Sequence, residues 1–329
     1  MERNPVSARV NTVLGPIQAD SLGVVAVHEA LLSVVPGAQY AYDITIDRAE
    51  IFEILKKKLD AFSRAGGGTV VDHTGMFHGR DLRLYEALSR ATGVHIVAST
   101  GLGPEENLGG YFLTPQTNPP TPWPADRFAE LFAAEVTEGM VVPRVQRRAA
   151  AGLIVTALSA TGMTPTDESL IRGAARAAVQ TGAALSFRAP ADPRAALEIA
   201  LEEQLEAGRI VVAGVDAAAA AAAGTARALA ERGAYVAIDH VGSAGGSDDI
   251  DDDARAALVA ELVGLGLGRR IVLSADAVGV AKGHPDVDVD YDVVLTGFVP
   301  RLKAQGLAAD EIRGILVDNP RDLLAVKEA

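Results

Sequence analysis

The chain has 329 residues, of which 49% are hydrophobic and only 5% aromatic; it has no cysteine and a formal net charge of −13. A surface of that sign repels phosphate backbones and anionic lipid, which makes nucleic acid and membrane surfaces poor partners, and the missing cysteine excludes disulfides, thiolate ligands and a cysteine nucleophile together. No charged start followed by a long apolar segment is present, so a cytoplasmic protein is the default expectation.

In chain order, eight short apolar runs alternate with stretches of helical spacing. The first run, Val24 to His28, is followed by Arg48 to Arg64, where Ile51, Phe52, Leu55, Leu59 and Phe62 recur every three or four residues and the pattern stops at Gly66-Gly67-Gly68. That triplet precedes a strand rather than a helix, so it reads as a turn and not as a phosphate cradle. Thr69 to His73 and Val94 to Ser99 come next. Leu113 to Trp123 carries Pro115, Pro119, Pro120 and Pro122, which forbid a regular helix and indicate an ordered loop. Leu153 to Ala157 is followed by a capped helix start at Thr164-Pro165-Thr166-Asp167, running to Gly182. The remaining runs are Ala184 to Arg188, Ile210 to Val215, Ala234 to Asp239 and Ile271 to Ala275. Ala217 to Ala223, continued by Arg227, Leu229 and Arg232 as far as Gly233, reads as one helix. Gly242 to Ser247 with the acidic Asp248 to Asp253 reads as a mobile, anion-repelling loop.

The runs are rich in Val, Ile and Ala with little alternation, which suits parallel strands covered on both faces. Eight strand-then-helix units in 329 residues fit a closed (β/α)8 TIM barrel with an aliphatic core. It forms one domain over residues 1–329, with residues 1–22 as an N-terminal extension or hairpin leading into the first strand. An open doubly wound sheet is the alternative, but no GxGxxG follows the first run. HExxH, GxSxG and Walker patterns are also absent, so no nucleotide cofactor is expected.

Arg9-Val10-Asn11-Thr12-Val13-Leu14-Gly15-Pro16-Ile17, then Gly23 and the run to His28-Glu29, resembles the opening of the phosphotriesterase family within the amidohydrolase superfamily. Ile315-Leu316-Val317-Asp318-Asn319-Pro320-Arg321-Asp322-Leu323-Leu324 is similar to its closing signature, and Val70-Val71-Asp72, Ile96 to Leu102 and Leu273 to Asp276 fall between them in order. The resemblance implies a barrel hydrolase with two divalent metals, zinc or manganese. They would be held by H-x-H on strand one, a carboxylated lysine on strand four, histidines on strands five and six, and an aspartate after strand eight. Here His28 is followed by Ala30, and the other positions hold Val155, Arg188, Gly214 and Asp276. Only His28 and Asp276 keep ligand chemistry, whereas catalytic zinc takes three protein ligands, so no metal is expected unless His73 or His240 substitutes.

Arg188, entering the barrel where the family's histidine does, puts a permanent cation in place of a metal, with Asp276 as its counter-charge. The alternative turns it to the surface to pair with Asp192. His28 is then a candidate general base, or a histidine kept for packing. His240 and Asp239 after strand seven, and His73 after strand two, are candidate substrate contacts; His73 alternatively caps its strand. Asp72 is expected to fix a neighbouring loop through backbone hydrogen bonds, and His78, His95 and His284 receive no role. Three functions follow: a metal-independent enzyme on a small organic molecule (hydrolase, lyase or isomerase) using His28, Arg188 and Asp276; a non-catalytic ligand- or partner-binding descendant; or a residual mononuclear metallohydrolase of lactones or phosphotriesters. The resemblance also implies a homodimer.

Overall fold

The computed structural model describes residues 8–107, 113–114, 121–142, 146–243, 248–285 and 289–326. Eight consecutive parallel strands follow one another around a barrel: β1 Val24–Val34, β2 Gly67–Asp72, β3 His95–Leu102, β4 Leu153–Ala157, β5 Ala184–Arg188, β6 Ile210–Ala213, β7 Tyr235–Ile238 and β8 Ile271–Leu273. Each pairs in parallel with its sequence neighbours. The final turn of the sheet was not anticipated. The chain leaves β8, which pairs with β7, and resumes as β9, Val278–Lys282, which pairs with β1. The last barrel position is therefore shared by two short strands, and the sheet closes on itself rather than ending in the open edges of a doubly wound fold.

Glu29 fastens that closure. Its Oε1 accepts from Ser274 Oγ at 2.6 Å and Ala275 N at 3.1 Å, and its Oε2 from Ala277 N at 2.6 Å. Ser274 Oγ in turn accepts from His28 N at 2.8 Å, and Ala30 N donates to Ala277 O at 2.9 Å. One buried carboxylate thus ties the first strand to the segment between β8 and β9. Burial pushes it up to about 8, against the pull of these three donors.

The helices form where the apolar spacing places them. α1, Arg48–Arg64, is capped by Asp47, which accepts from Ala49 N and Glu50 N, and buries Ile51, Leu55, Leu59 and Phe62. Of the glycine triplet, Gly66 makes the turn at φ 102° while Gly67 and Gly68 already belong to β2. A Cβ on Gly67 would come within 2.3 Å of the Phe62 ring and one on Gly68 within 2.4 Å of Leu22 O, so close packing demands glycine there. α2 Leu82–Thr92 and α3 Ala125–Thr137 follow, and α4, Pro165–Thr181, has the expected capping box at Thr164 and Asp167 and ends on left-handed Gly182. After α5, Pro193–Glu202, the alanine stretch differs from the sequence expectation. It is two helices, α6 Ala218–Ala222 and α7 Thr225–Glu231, broken where Gly224 takes φ 62°. The acidic stretch is not all loop either, because Asp251 caps α8, Asp252–Gly264, by accepting from Ala254 N.

Residues 9–18 form the expected hairpin, Arg9–Thr12 against Gly15–Gln18. It crosses the barrel floor, where Val13 N donates to Ile96 O and Asn11 Nδ2 to Ala151 O. The closing signature packs nearby: Asn319 Nδ2 donates to Gly268 O and Ile271 O at the entry to β8. Leu113–Thr114 pairs with Thr121–Pro122, whereas Pro115, Pro119, Pro120 and residues 244–247 lie outside the described residues. No described helix is long and apolar enough to cross a membrane.

Above pH about 8, where Glu29 is ionised, Glu29→Gln is expected to destabilise the barrel by about 1–3 kcal/mol, because the amide turns a donor toward a buried donor. The midpoint of urea unfolding checks this; an unchanged midpoint would mean that Glu29 does not secure the seam.

Candidate active site at the barrel mouth

His28 on β1, Arg188 at the end of β5, Asp239 and His240 just beyond β7 and Asp276 beyond β8 come together as five charged or titratable side chains. Arg188, last residue of β5, turns into the barrel. Its Nη2 donates to Asp276 Oδ2 at 2.8 Å and to Asp239 Oδ2 at 3.3 Å, and lies 3.5 Å from His240 Nε2. Asp192 instead caps α5. The Arg188 side chain packs over Gly214 beyond β6, where a Cβ would lie in ordinary contact, 3.6 Å from Arg188 Nε. Gly214 also has φ 73°, a conformation other residues rarely take.

Asp276 holds its carboxylate at the mouth from a left-handed backbone, φ 48°, which aspartate tolerates better than most residues. Burial works against its ionisation, but the Arg188 charge outweighs it and holds the carboxyl at about 2. Arg188 and Asp276 each keep 32% of the side chain exposed, so the pair remains open to a small molecule.

His28 lies behind Asp276, with Nε2 3.6 Å from Asp276 Oδ1 and Nδ1 3.3 Å from Asp239 Oδ2. Burial brings it down to about 4, more than the Asp276 charge restores, so the ring is neutral at physiological pH. His73 stacks on it, ring centroids 4.0 Å apart and 13° from parallel. Burial lowers His73 well below the ordinary histidine value, and its Nε2 is 3.0 Å from Ser186 Oγ. His28, His73, Ser186, Arg188, Val155 and Thr156 share a cavity of about 150 Å³ with Gly101 and His78.

The substrate-facing role expected for Asp239 needs correction. Its side chain is fully buried, accepts from Gly214 N at 2.8 Å and supports Arg188 from beneath, so it shows no face to the mouth. His240 does reach the rim, with Nε2 4.0 Å from Asp276. Asp216, which the sequence did not single out, anchors it: Oδ1 is 2.7 Å from His240 Nδ1, and Oδ2 accepts from His240 N at 3.0 Å and Arg255 Nε at 2.8 Å. Desolvation would lower His240, but the Asp216 hydrogen bond and the nearby carboxylate charges take it up to about 9. Asp72 behaves as expected, accepting from Leu31 N and Thr74 N.

The phosphotriesterase family model matches residues 8–324. The chain belongs to the phosphotriesterase family. A phosphotriesterase homology protein of Mycobacterium tuberculosis is 27% identical, across 95% of this chain and 96% of its own length. An aryldialkylphosphatase of Saccharolobus solfataricus is 25% identical, across 93% and 96%. An N-acetyltaurine hydrolase of Salmo salar is 23% identical, across 98% and 99%. A solved structure from the molecular engineering of organophosphate hydrolysis activity from a weak promiscuous lactonase template superposes with a TM-score of 0.83 at 23% identity, covering 96% of this chain and all of its own.

The donors in this phosphotriesterase-family chain do not fit the binuclear metal centre that the resemblance implies. The Arg188 guanidinium, itself standing at a ligand position, bonds directly to Asp276, the carboxylate the metal would need, and to Asp239. Ala30, Val155 and Gly214 offer no ligand side chain. Asp216, Asp239 and His240 do place one potential ligand atom each within 4.8 Å of one another. Those carboxylates are already committed to Arg255, Arg188, Gly214 N and His240 itself.

His240 is raised in the fold, so its proton binds more tightly there than in the unfolded chain; that stabilisation is complete below about 6.5 and is lost as pH rises through about 9. The unfolding free energy should fall by about 1–3 kcal/mol across this window. In His240→Gln the fall should shrink by that amount; urea titrations at both ends of the window check it, and an equal slope in the variant would refute the assignment.

Proposed function

We propose that this phosphotriesterase-family chain is a metal-independent hydrolase of a small organic molecule, an activated carboxylic ester or a lactone, bound at the barrel mouth. The observation that carries the reading is the Arg188–Asp276 pair at 2.8 Å, a fixed cation where the family's metal chemistry would otherwise require donors. The guanidinium supplies electrostatic stabilisation for charge developing on a carbonyl oxygen. His28, neutral and beside Asp276, takes the proton from an attacking water. Asp276 stabilises the imidazolium that forms, and Asp239 holds Arg188 from below. The protonated His240 offers a second positive edge to substrate, and His73 shapes the cavity wall. Hydrolysis is favoured over lyase or isomerase chemistry because the named relatives include an aryldialkylphosphatase and an N-acetyltaurine hydrolase.

Of the non-catalytic ligand- or partner-binding alternative, the partner-binding form is the weaker, since Arg188 leaves an open cavity rather than filling it. A residual metallohydrolase would have to seat its ion between His28 and Asp276, against the Arg188 charge.

Elemental analysis of untagged protein after incubation with zinc or manganese should find less than about a tenth of an equivalent, because functional zinc sites bind tightly. Turnover of short-chain activated esters and lactones should be indifferent to chelator, and His28→Ala should lower kcat by about 100-fold or more. Chelator-sensitive turnover, or near-stoichiometric metal lost in His28→Ala, would sink this reading in favour of the metallohydrolase.

A further inference from the structure

A hydroxyl on the wall of the same cavity has no part in the proton transfer described above. Ser186 and Arg188 are two residues apart on β5, so both side chains point into the barrel. Ser186 is buried, and its Oγ lies 3.0 Å from Nε2 of His73, with β3 and β4 between their strands. The His73 ring is held in place: its backbone N donates to Glu29 O at 2.8 Å, and its face stacks on His28. An oriented imidazole within hydrogen-bond reach of a serine hydroxyl is the arrangement that activates a nucleophile. Both groups line the cavity, and the guanidinium that can receive an oxyanion lines it too.

We propose that Ser186 is the nucleophile of a covalent route for small carboxylic esters, with His73 as its base. The proposal rests on the metal-independent hydrolase reading. Ser186 Oγ attacks the acyl carbon while its proton passes to His73 Nε2. The carbonyl oxygen, now an alkoxide, faces Arg188. The intermediate collapses, the C–O bond to the leaving group breaks, and the departing alkoxide takes the proton from His73. Water, directed by His28, then attacks the acyl-enzyme, releasing the carboxylic acid and returning the proton to Ser186. The sum is ester plus water to acid plus alcohol. The cavity beside Ser186 is only about 150 Å³, so the acyl group seated in it is short, while the open mouth leaves the leaving group unconstrained.

The test is a fluorophosphonate probe on metal-free, full-length protein, followed by intact-mass and peptide mass spectrometry. Serine displaces fluoride and keeps the phosphonyl group, so the adduct does not depend on slow deacylation. The expected result is one equivalent of adduct on the peptide containing Ser186 and none on Ser186→Ala. Labelling should be about 100-fold slower in His73→Gln, with melting temperatures of both variants close to the parent's. No adduct on the parent, or an adduct persisting in folded Ser186→Ala, overturns the proposal. Ester turnover that survives in Ser186→Ala and still requires His28 overturns the covalent route while leaving the metal-independent hydrolase standing. Absence of both adduct and ester turnover in the parent sinks the two together.

Discussion

The contact between the Arg188 guanidinium and the Asp276 carboxylate, 2.8 Å apart across the ends of β5 and β8, sets the state of most groups around it. It keeps Asp276 ionised in spite of burial, and it keeps positive charge beside His28, which adds to burial in holding that ring neutral. It also gives Asp239 a partner, without which a fully buried carboxylate at the base of the mouth would be costly. Because both members of the pair are about one-third exposed, its direct contribution to stability is modest after solvent screening. Its importance lies in the protonation pattern it imposes.

Behind that pair sits a second layer, in which Asp216 joins His240 to the completely buried Arg255. The two layers meet at His240, whose Nδ1 faces Asp216 and whose Nε2 faces Arg188 and Asp276. The mouth therefore combines neutral imidazoles on the β1 and β2 side with fixed cations on the β5 to β7 side. A polarised carbonyl placed between them would meet a base from one direction and positive charge from the other, which is the division of labour acyl hydrolysis requires.

Much of the barrel was legible in the chain because its signals are local. Apolar runs, the Thr164 capping box and the Gly182 stop each lie within a few residues, and the elements fell where those signals put them. The β8 to β9 break was not legible, because it depends on Glu29 meeting amides some 246 residues away, a separation at which spacing carries no information. The site divided in the same way. At the positions that the family resemblance matches, Arg188 and Gly214 stood out as departures and Asp276 as a retained ligand residue. By contrast, Asp216, Arg255 and Ser186 have ordinary local contexts, and their significance comes only from cross-strand partners. Asp239 was misplaced because a residue at a strand end can point to the rim or beneath it, and sequence order alone does not choose.

The packing of Arg188 against Gly214 bears on which substitutions these two positions can take. A histidine at position 214 would have to accept φ 73°, a backbone conformation that side chains rarely adopt. A histidine at 188 alone would remove the guanidinium that Asp239 and Asp276 share and leave His240 as the nearby positive charge. Neither single change keeps both the backbone conformation and the charge balance of the mouth. The two positions are therefore coupled through the Arg188 side chain, and a substitution at either is best tolerated with a compensating change at the other.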